Sequence, residues 1–310
     1  MQRLFPILLL LPLLAACTSV PSSGATSPVI FRLGSTSVTL ADFEQRLRDD
    51  VGAGVADLLA QGQTREQIEQ LAIDANVRGT IFDRMVQDAL LLDYARRNGI
   101  GVDPARVDAA VFAQAPRVDP GAPVAPGAAP TPTHADLRAQ AARQQLVFEV
   151  IARNTRTAMV RARHILVADQ ATAEQILAEL QAGADFATLA RERSTDAGSA
   201  EQGGDLGWTP RGDYVAEFEE VAFSAPLNTP TTVQSQFGWH VLEVLDRADD
   251  RPFDSFERLS QSSNAQSFYE QSFVPWYEEL RRQAEASGEL AIAAGFDPNS
   301  VPLPFPADAP

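Results

Sequence analysis

The sequence predicts an α+β protein in which a small domain with an antiparallel sheet is joined to an α-helical domain. Apolar residues recur at helical spacing up to about residue 114 and again from about 135 to 156. From Met159 the pattern changes to the alternation of strands, and it returns to helix after Asp250. The 310 residues, 45% of them hydrophobic, are enough for two or three domains with a substantial core.

The formal net charge is −16. Such an acidic chain is a poor partner for nucleic acid, and it does not bind anionic lipid by charge. The chain has one cysteine, so no disulfide can form within it.

Residues 1–16 predict an export signal. Arg3 precedes an apolar core from Leu4 to Leu14 that is shorter than the roughly 20 residues needed to span a bilayer. The ending Leu-Ala-Ala-Cys resembles the bacterial lipobox, so we expect Cys17 to be lipidated and to anchor the protein on the extracytoplasmic side of a bacterial membrane. The alternative is a plain secretory signal with an incidental cysteine. The small polar residues of 17–28 predict a flexible tether.

Residues 29–158 predict a helical N-terminal domain. A short strand pair is followed by a helix for which Thr39 or Asp42 is the expected cap. The spacing of Thr64 and Gln67 is that of a capping box at the start of one long helix. Its apolar stripe is expected to comprise Ile68, Leu71, Ala75, Phe82, Met85 and Leu90, ending near Gly99.

A Pro-, Ala- and Gly-rich segment at residues 115–133 interrupts this domain. Helical patterns begin at Asp103-Pro104 before it and at about Ala135 after it, so we interpret it as an extended or disordered insertion. A true domain boundary at this segment is the alternative.

Residues 159–248 predict the small α+β domain. A strand in VRARHILVA is followed by a helix capped by Thr172 and ended by Gly183, and then by a short helix in DFATLARERS. The glycine-rich run QGGDLGW leads to a third helix in GDYVAEFEEVAF. TPTTVQSQFGWHVLEVLDRA then predicts two strands joined by a turn.

Residues 249–290 predict helices with too much apolar surface to stand alone. Phe253, Phe256, Phe268 and Trp276 are examples, and the N-terminal domain is the expected partner. Residues 291–310 predict a loose tail.

The chain has three histidines. His134 is expected near a helix start, in solvent. His164 and His240 each lie on the apolar face of a predicted strand, so the two imidazoles meet if those strands are neighbours. Each could instead be a buried histidine with an ordinary structural hydrogen bond, although two in one small domain weaken that interpretation.

Four blocks, RARHILV, LARERSTDAGSAEQGGDLGW, FEEVAFSA and FGWHVLEVLDR, are similar in order and spacing to the parvulin family of peptidyl-prolyl cis–trans isomerases. The similarity covers residues 159–248 and is to parvulin domains of the SurA, PpiC and PrsA kind. The flanking helices resemble the chaperone domain of these proteins, which is assembled from N- and C-terminal segments. The resemblance implies a parvulin domain joined to such a helical domain.

The resemblance also implies roles for individual residues. His164 and His240 match the family's paired histidines, Asp196 its Asp or Cys position, and Ser235 a hydroxyl of the same catalytic network. The residues matched to the substrate-proline pocket are Leu206, Tyr214, Phe218 and Phe237, with Tyr214 at a position where relatives often carry Met. Trp208 and Phe223 are expected in the core or at the pocket rim, and the glycines are expected to let the backbone pass beside the site.

The expected function is therefore isomerisation of X-Pro bonds in unfolded exported polypeptides, combined with a folding-chaperone role. No bond is made or broken, so we expect no nucleophile, metal or cofactor. One alternative is a non-catalytic holdase that uses the parvulin domain to bind peptides, and another is a structural envelope lipoprotein with an inactive domain. The oligomeric state is left open by the sequence.

Overall fold

The computed structural model of the chain describes residues 27–114 and 133–306. It divides into two units, Met1–Val150 with Trp276–Pro310, and Ile151–Pro275. Within the described ranges, no helix combines the length and the apolar character needed to cross a membrane. Cys17, most of the tether and residues 115–132 of the Pro-rich segment lie outside the described residues.

The predicted α+β class is confirmed. In chain order the elements are β1 (Val29–Leu33), β2 (Thr36–Thr39), α1 (Leu40–Ala60), α2 (Arg65–Asp74), α3 (Val77–Arg97), α4 (Pro104–Gln114), α5 (His134–Asn154), β3 (Arg156–Val167), α6 (Gln170–Gln181), α7 (Phe186–Arg193), α8 (Ala197–Ala200), β4 (Asp205–Pro210), α9 (Ala216–Ser224), β5 (Thr231–Ser235), β6 (Gly238–Pro252), α10 (Phe256–Gln261), α11 (Ala265–Phe268), a π-helical turn (Tyr269–Phe273), α12 (Val274–Ala286), β7 (Leu290–Ile292) and a 3₁₀ turn (Pro298–Ser300).

Both predicted caps of the first unit are present as capping boxes. The Thr39 side chain accepts from the backbone N–H of Asp42, whose carboxylate accepts from the N–H of Thr39. Thr64 and Gln67 make the same reciprocal pair at the start of α2. These side chains satisfy N–H groups that the first helical turn cannot.

The single long helix predicted after Thr64 is wrong, because the chain forms α2 and α3 with a break at Asn76. Asn76 has φ +49°, a left-handed conformation that asparagine tolerates better than most residues. Leu71 of the expected stripe lies on α2 and is exposed. Ala75 is also exposed.

The loose tail predicted for residues 291–310 is also wrong for its described part, residues 291–306. β7 pairs antiparallel with β1 in a three-stranded sheet of order β2-β1-β7. Beyond it, Val301 and Leu303 are each only 5% exposed. The run of prolines suggested a tail, but the apolar residues between them are buried in the first unit.

Residues 249–275 belong to the second unit, whereas the sequence predicted that all of 249–290 packs on the N-terminal domain. Asp213 accepts from the Ser262 hydroxyl and the Ser263 N–H, and Asn264 donates to the carbonyl of Arg211. The segment from Trp276 onward lies in the first unit.

The second unit is built on an antiparallel sheet of order β4-β3-β6-β5. Apolar clusters lie on its two faces, one around Ile165 and Val241 with α6 and α7, and one around Phe218 and Leu242 with α9. Asp169, rather than the predicted Thr172, caps α6 and accepts from the Thr172 N–H. β4, which begins inside the glycine-rich run at Asp205, is an edge strand.

Candidate functional site

The sheet brings the two histidines of the second unit together. β3 and β6 are neighbours, with His164 opposite Leu242 and His240 opposite Leu166. The histidines are therefore diagonal neighbours on one face. Their Nδ1 atoms are 3.0 Å apart, and their rings are stacked with 5.2 Å between centroids. Both side chains are buried.

Asp196 holds the far side of His164. Its Oδ2 lies 2.8 Å from His164 Nε2 and accepts from the Ser199 hydroxyl at 2.5 Å, while its Oδ1 accepts from the Gly198 N–H. Burial acts to raise the pKa of Asp196, but hydrogen bonds from Ser199, His164 and Gly198 outweigh it and lower the pKa. The carboxylate is thus ionised and its acceptor sites are engaged.

Ser235 and the turn between β5 and β6 hold the far side of His240. The Ser235 hydroxyl lies 2.6 Å from His240 Nε2 and itself accepts from the backbone N–H of Phe237 at 3.1 Å. The five groups from Ser199 to Ser235 therefore form one continuous hydrogen-bonded chain across the face of the sheet.

The chain of hydrogen bonds assigns the protons when both imidazoles are neutral. An ionised Asp196 is acceptor-only, so His164 carries its proton on Nε2 and presents an unprotonated Nδ1. His240 must then donate from Nδ1, which leaves its Nε2 to accept from the Ser235 hydroxyl. Every member has a partner without any charged imidazole.

The pKa of His240 is lowered to about 4, mainly because burial disfavours the charged ring and also because His164 is adjacent; Asp196 opposes the shift. In the unfolded chain a histidine titrates near pH 6.5. Between these values the unfolded chain binds a proton that the folded chain does not. The neutral His240 therefore makes its full contribution to the free energy of unfolding above about pH 6.5. As the pH falls from 6.5 toward 4, the free energy of unfolding decreases by on the order of 3 kcal/mol.

We predict that His240→Gln flattens this part of the pH dependence. The free energy of unfolding, measured by urea denaturation at pH 7 and pH 4.5, is expected to differ less for the variant than for the wild type. His134→Gln is the matched control, since His134 is exposed and should leave the slope unchanged. Equal slopes for His240→Gln and the wild type would contradict a neutral His240.

An apolar surface lies over the imidazole pair. Phe218 meets His164 edge-to-face at 5.7 Å and His240 at 5.1 Å between ring centroids. Tyr214 packs against Phe218 at 4.8 Å, and half-buried Leu206 joins the same cluster. Phe218 is itself only 3% exposed, so it forms the floor of this surface while Leu206 and Tyr214 border it.

Phe237 is placed differently from the other predicted pocket residues. It lies in the turn between β5 and β6 with its side chain 64% exposed, and only its backbone N–H joins the hydrogen-bonded chain. Trp208 and Phe223 are half-buried at the edge, each beneath the guanidinium of an arginine, Arg251 and Arg211 respectively.

Gly204 explains part of the glycine-rich run. It has φ +82°, and its carbonyl accepts from the His164 N–H at 2.9 Å. A Cβ at this position would lie 2.2 Å from the carbonyl oxygen of His164. The close approach of the two backbones therefore requires glycine, and it fixes the strand that carries His164.

Sequence reasoning missed two groups that support this site. Ser199 binds Asp196 directly, and the Ser194 hydroxyl accepts from the N–H groups of Leu166 and Asp196. The available signal was the spacing of Asp196 and Ser199 in DAGS, which is that of a capped helical turn and forms α8. Across the described residues, no group of three His, Cys, Asp or Glu side chains is placed to hold a metal ion.

Two family models match the chain. Residues 146–248 match the PPIC-type PPIASE domain, and residues 3–119 match the SurA-like N-terminal domain. Together they account for the second unit's sheet and for the segment that contributes most of the first unit's helices.

The similarity extends to curated relatives. The foldase protein PrsA of Geobacillus sp. (strain WCH70) is 42% identical over 99 residues, covering 32% of this chain and 36% of that protein. The chaperone SurA of Legionella pneumophila (strain Lens) is 37% identical over 136 residues, covering 39% and 31%. The chain thus spans about a third of the length of these relatives. Among solved structures, Pin of Cenarcheaum symbiosum is 38% identical, covering 31% of this chain and 94% of that one, with a TM-score of 0.27.

Proposed function

Because the chain carries a PpiC-type peptidyl-prolyl isomerase domain and a SurA-like N-terminal domain, we propose that it is a peptidyl-prolyl cis–trans isomerase and folding chaperone for exported proteins. The observation that supports the isomerase activity most strongly is the pair of hydrogen-bonded imidazoles beneath Phe218. Its clients are unfolded or proline-containing exported polypeptides.

The proposed mechanism needs no covalent chemistry. The barrier to rotation about a peptide bond is about 18–20 kcal/mol, and it exists because twisting removes amide resonance. The apolar surface of Leu206, Tyr214 and Phe218 takes the pyrrolidine ring away from water. This environment disfavours the charge-separated planar amide, and fixed dipoles beside it favour the twisted form.

The polar chain supplies those dipoles, with separate roles for its members. His164, His240 and Ser235 lie beneath the apolar surface and present the fixed hydrogen-bond pattern. Asp196 is a positioning residue, because its oxygens already accept from His164, Ser199 and Gly198. It orients His164 and does not attack the substrate. Phe237 is proposed to contact the substrate from the exposed turn.

We predict that Asp196→Asn lowers the rate of catalysed X-Pro exchange by about 10-fold to 100-fold, because it replaces a charge-assisted hydrogen bond worth about 1.5–3 kcal/mol. The measurement is NMR exchange spectroscopy on a proline-containing peptide. Asp185→Asn is the matched control, since Asp185 also caps a helix of the same unit, through the Thr188 N–H. Asp185→Asn should retain the exchange rate. If both variants lose the same fraction of the exchange rate, Asp196 acts only as a structural helix cap.

The wild-type exchange measurement also tests the proposed function itself. If the folded protein does not accelerate cis–trans exchange of the peptide, the proposed isomerase activity is rejected and the non-catalytic holdase is the remaining candidate. That alternative has its own support in the first unit, where Phe112 of α4 is 86% exposed and suits binding to apolar client segments. Suppression of aggregation of an unfolded protein by the full chain would measure the holdase separately.

The proposed location is the extracytoplasmic side of a bacterial membrane, with Cys17 carrying the lipid. The lipobox-like Leu14-Ala15-Ala16-Cys17 supports this proposal. Incorporation of labelled palmitate into the wild type, lost in Cys17→Ser, is the expected result. Incorporation that persists in Cys17→Ser would reject Cys17 as the lipidated residue.

A further inference from the structure

Residues 301–306, with the sequence VPLPFP, form a strap that lies in an apolar groove of the first unit. Leu303 packs in one buried cluster with Val55 of α1 and with Ile68 and Ala72 of α2. Four half-buried residues complete the groove: Val51, Leu58, Leu59 and Val77. Phe305 of the strap is also half-buried and packs against the same cluster. The strap therefore fills a site that α1 and α2 leave open between them.

Arginine side chains also hold the main chain of the strap. Arg78, a buried side chain of α3, donates from Nε to the carbonyl of Val301 at 2.6 Å and is held in place by Glu69. Arg65 donates to the carbonyl of Pro306 at 3.4 Å, and its guanidinium lies over the ring of Phe305. Both ends of the strap are thus bound through carbonyl groups, which any polypeptide offers.

The Arg78 guanidinium has a further donor that the strap does not use. Its Nη1 is buried and makes no hydrogen bond to any described residue. A buried guanidinium N–H without a partner costs free energy, so the strap does not satisfy all that the groove presents.

The prolines suit the strap to this kind of binding. Pro302, Pro304 and Pro306 alternate with the apolar residues. Proline has no N–H, and it biases the residue before it toward extended backbone. Such a segment is already close to its bound conformation, so little entropy is lost when its apolar side chains enter a groove and its carbonyls meet donors.

We propose that this groove is a binding site for extended polypeptide segments in which apolar residues alternate with proline, and that the strap is the chain's own ligand for it. The inference rests on the proposed chaperone role, since it gives the helical unit a class of client segment that is rich in X-Pro bonds. A tethered ligand has an effective concentration on the order of millimolar, so clients bind only by competing with the strap.

The test is binding of a fluorescently labelled peptide of residues 299–308 (NSVPLPFPAD) to the full chain and to a chain lacking residues 301–310. Anisotropy is expected to show binding that is tighter by at least about 10-fold when the strap is deleted. A peptide with alanine at its three inner prolines should bind more weakly. Equal affinities of the two chains for the peptide, with circular dichroism showing both folded, would overturn the proposal.

Three substitutions in the full chain keep the test decisive if the deleted chain does not fold. Phe305→Ser in the full chain loosens the strap and is expected to tighten peptide binding by about fivefold. Leu227→Ser, at an exposed position of the second unit, is the matched control and should have no effect. Arg65→Gln combined with Phe305→Ser should lose that gain. Unchanged affinity in Phe305→Ser would reject the strap as a competitor.

X-Pro exchange on a separate peptide, run on the same samples, distinguishes the two proposals. Phe305→Ser should leave that exchange rate at the wild-type value. If the labelled peptide does not compete with the strap but X-Pro exchange is unchanged, only the groove proposal is rejected. Absence of exchange in the wild type, with peptide competition intact, would reject only the isomerase.

Discussion

Replacing Gly204 with alanine is expected to remove about 99% of the X-Pro exchange activity, because a displacement of a catalytic group by about 1 Å can cost about 100-fold in rate. The added Cβ would lie 2.2 Å from the His164 carbonyl oxygen, which is backbone and has no rotamer to adopt. Relief requires the chain at Gly204 to move away from β3, which breaks the His164 N–H···O bond. His164 then loses its register against His240.

The same substitution should lower the free energy of unfolding by about 3 kcal/mol, since φ +82° is itself unfavourable for alanine. Gly207→Ala is the matched control. Gly207 has a similar φ of +67°, but apart from its two neighbours in the chain no described residue has a heavy atom within 4 Å of its added Cβ. It should cost only the backbone strain of about 1–2 kcal/mol and retain most of the exchange activity. Similar activities of the two folded variants would show that the contact with His164 is irrelevant to the site.

Phe218→Leu is expected to lower X-Pro exchange by about 10-fold while the protein remains folded. The Phe218 ring contacts both imidazoles by its edge or face, and it forms the floor against which the pyrrolidine is proposed to sit. Leucine keeps most of the volume, whereas alanine would leave a cavity costing about 3–5 kcal/mol and confuse activity with stability. The measurement is again exchange spectroscopy, with thermal unfolding in parallel.

Phe223→Leu provides the comparison for Phe218→Leu. Phe223 belongs to the same apolar cluster, but its ring lies beneath the guanidinium of Arg211. Phe223→Leu should lose no more stability than Phe218→Leu, because Phe223 is half-buried, and only Phe218→Leu should lose most of the activity. An unchanged exchange rate in Phe218→Leu would remove this ring from the proposed pocket.

The meeting of the two histidines could be predicted from the sequence because strand alternation is strict. His164 and His240 each share a strand face with apolar neighbours. Because the two strands are adjacent, the imidazoles lie close together on that face. The caps at Thr39 and Thr64 were equally predictable, since a capping box is a local interaction over three residues.

Other features depend on contacts that local patterns do not encode. The break at Asn76 follows from one left-handed residue inside an otherwise helical sequence. The strap looked like a tail because its prolines suggest an extended chain, and its burial is decided by a groove some 230 residues earlier in the sequence. Ser199 lies beside Asp196 because it belongs to the short helix α8, which Asp196 caps.

The resemblance to parvulins, and not residue spacing, supplied the roles of Asp196, Ser235, Leu206 and Tyr214. The structure places the first two on opposite sides of the histidine pair and the other two in the apolar cluster of Phe218. Their roles in isomerisation stay predictions.

One NMR titration tests the central proposal most directly, by following the imidazole rings of His164 and His240 while a proline-containing peptide exchanges between cis and trans. We expect the folded wild-type chain to accelerate the exchange, with neutral rings protonated at Nε2 of His164 and Nδ1 of His240, and with both rings perturbed by the peptide. A peptide that exchanges at its uncatalysed rate, or one that is accelerated without perturbing either ring, would contradict the account.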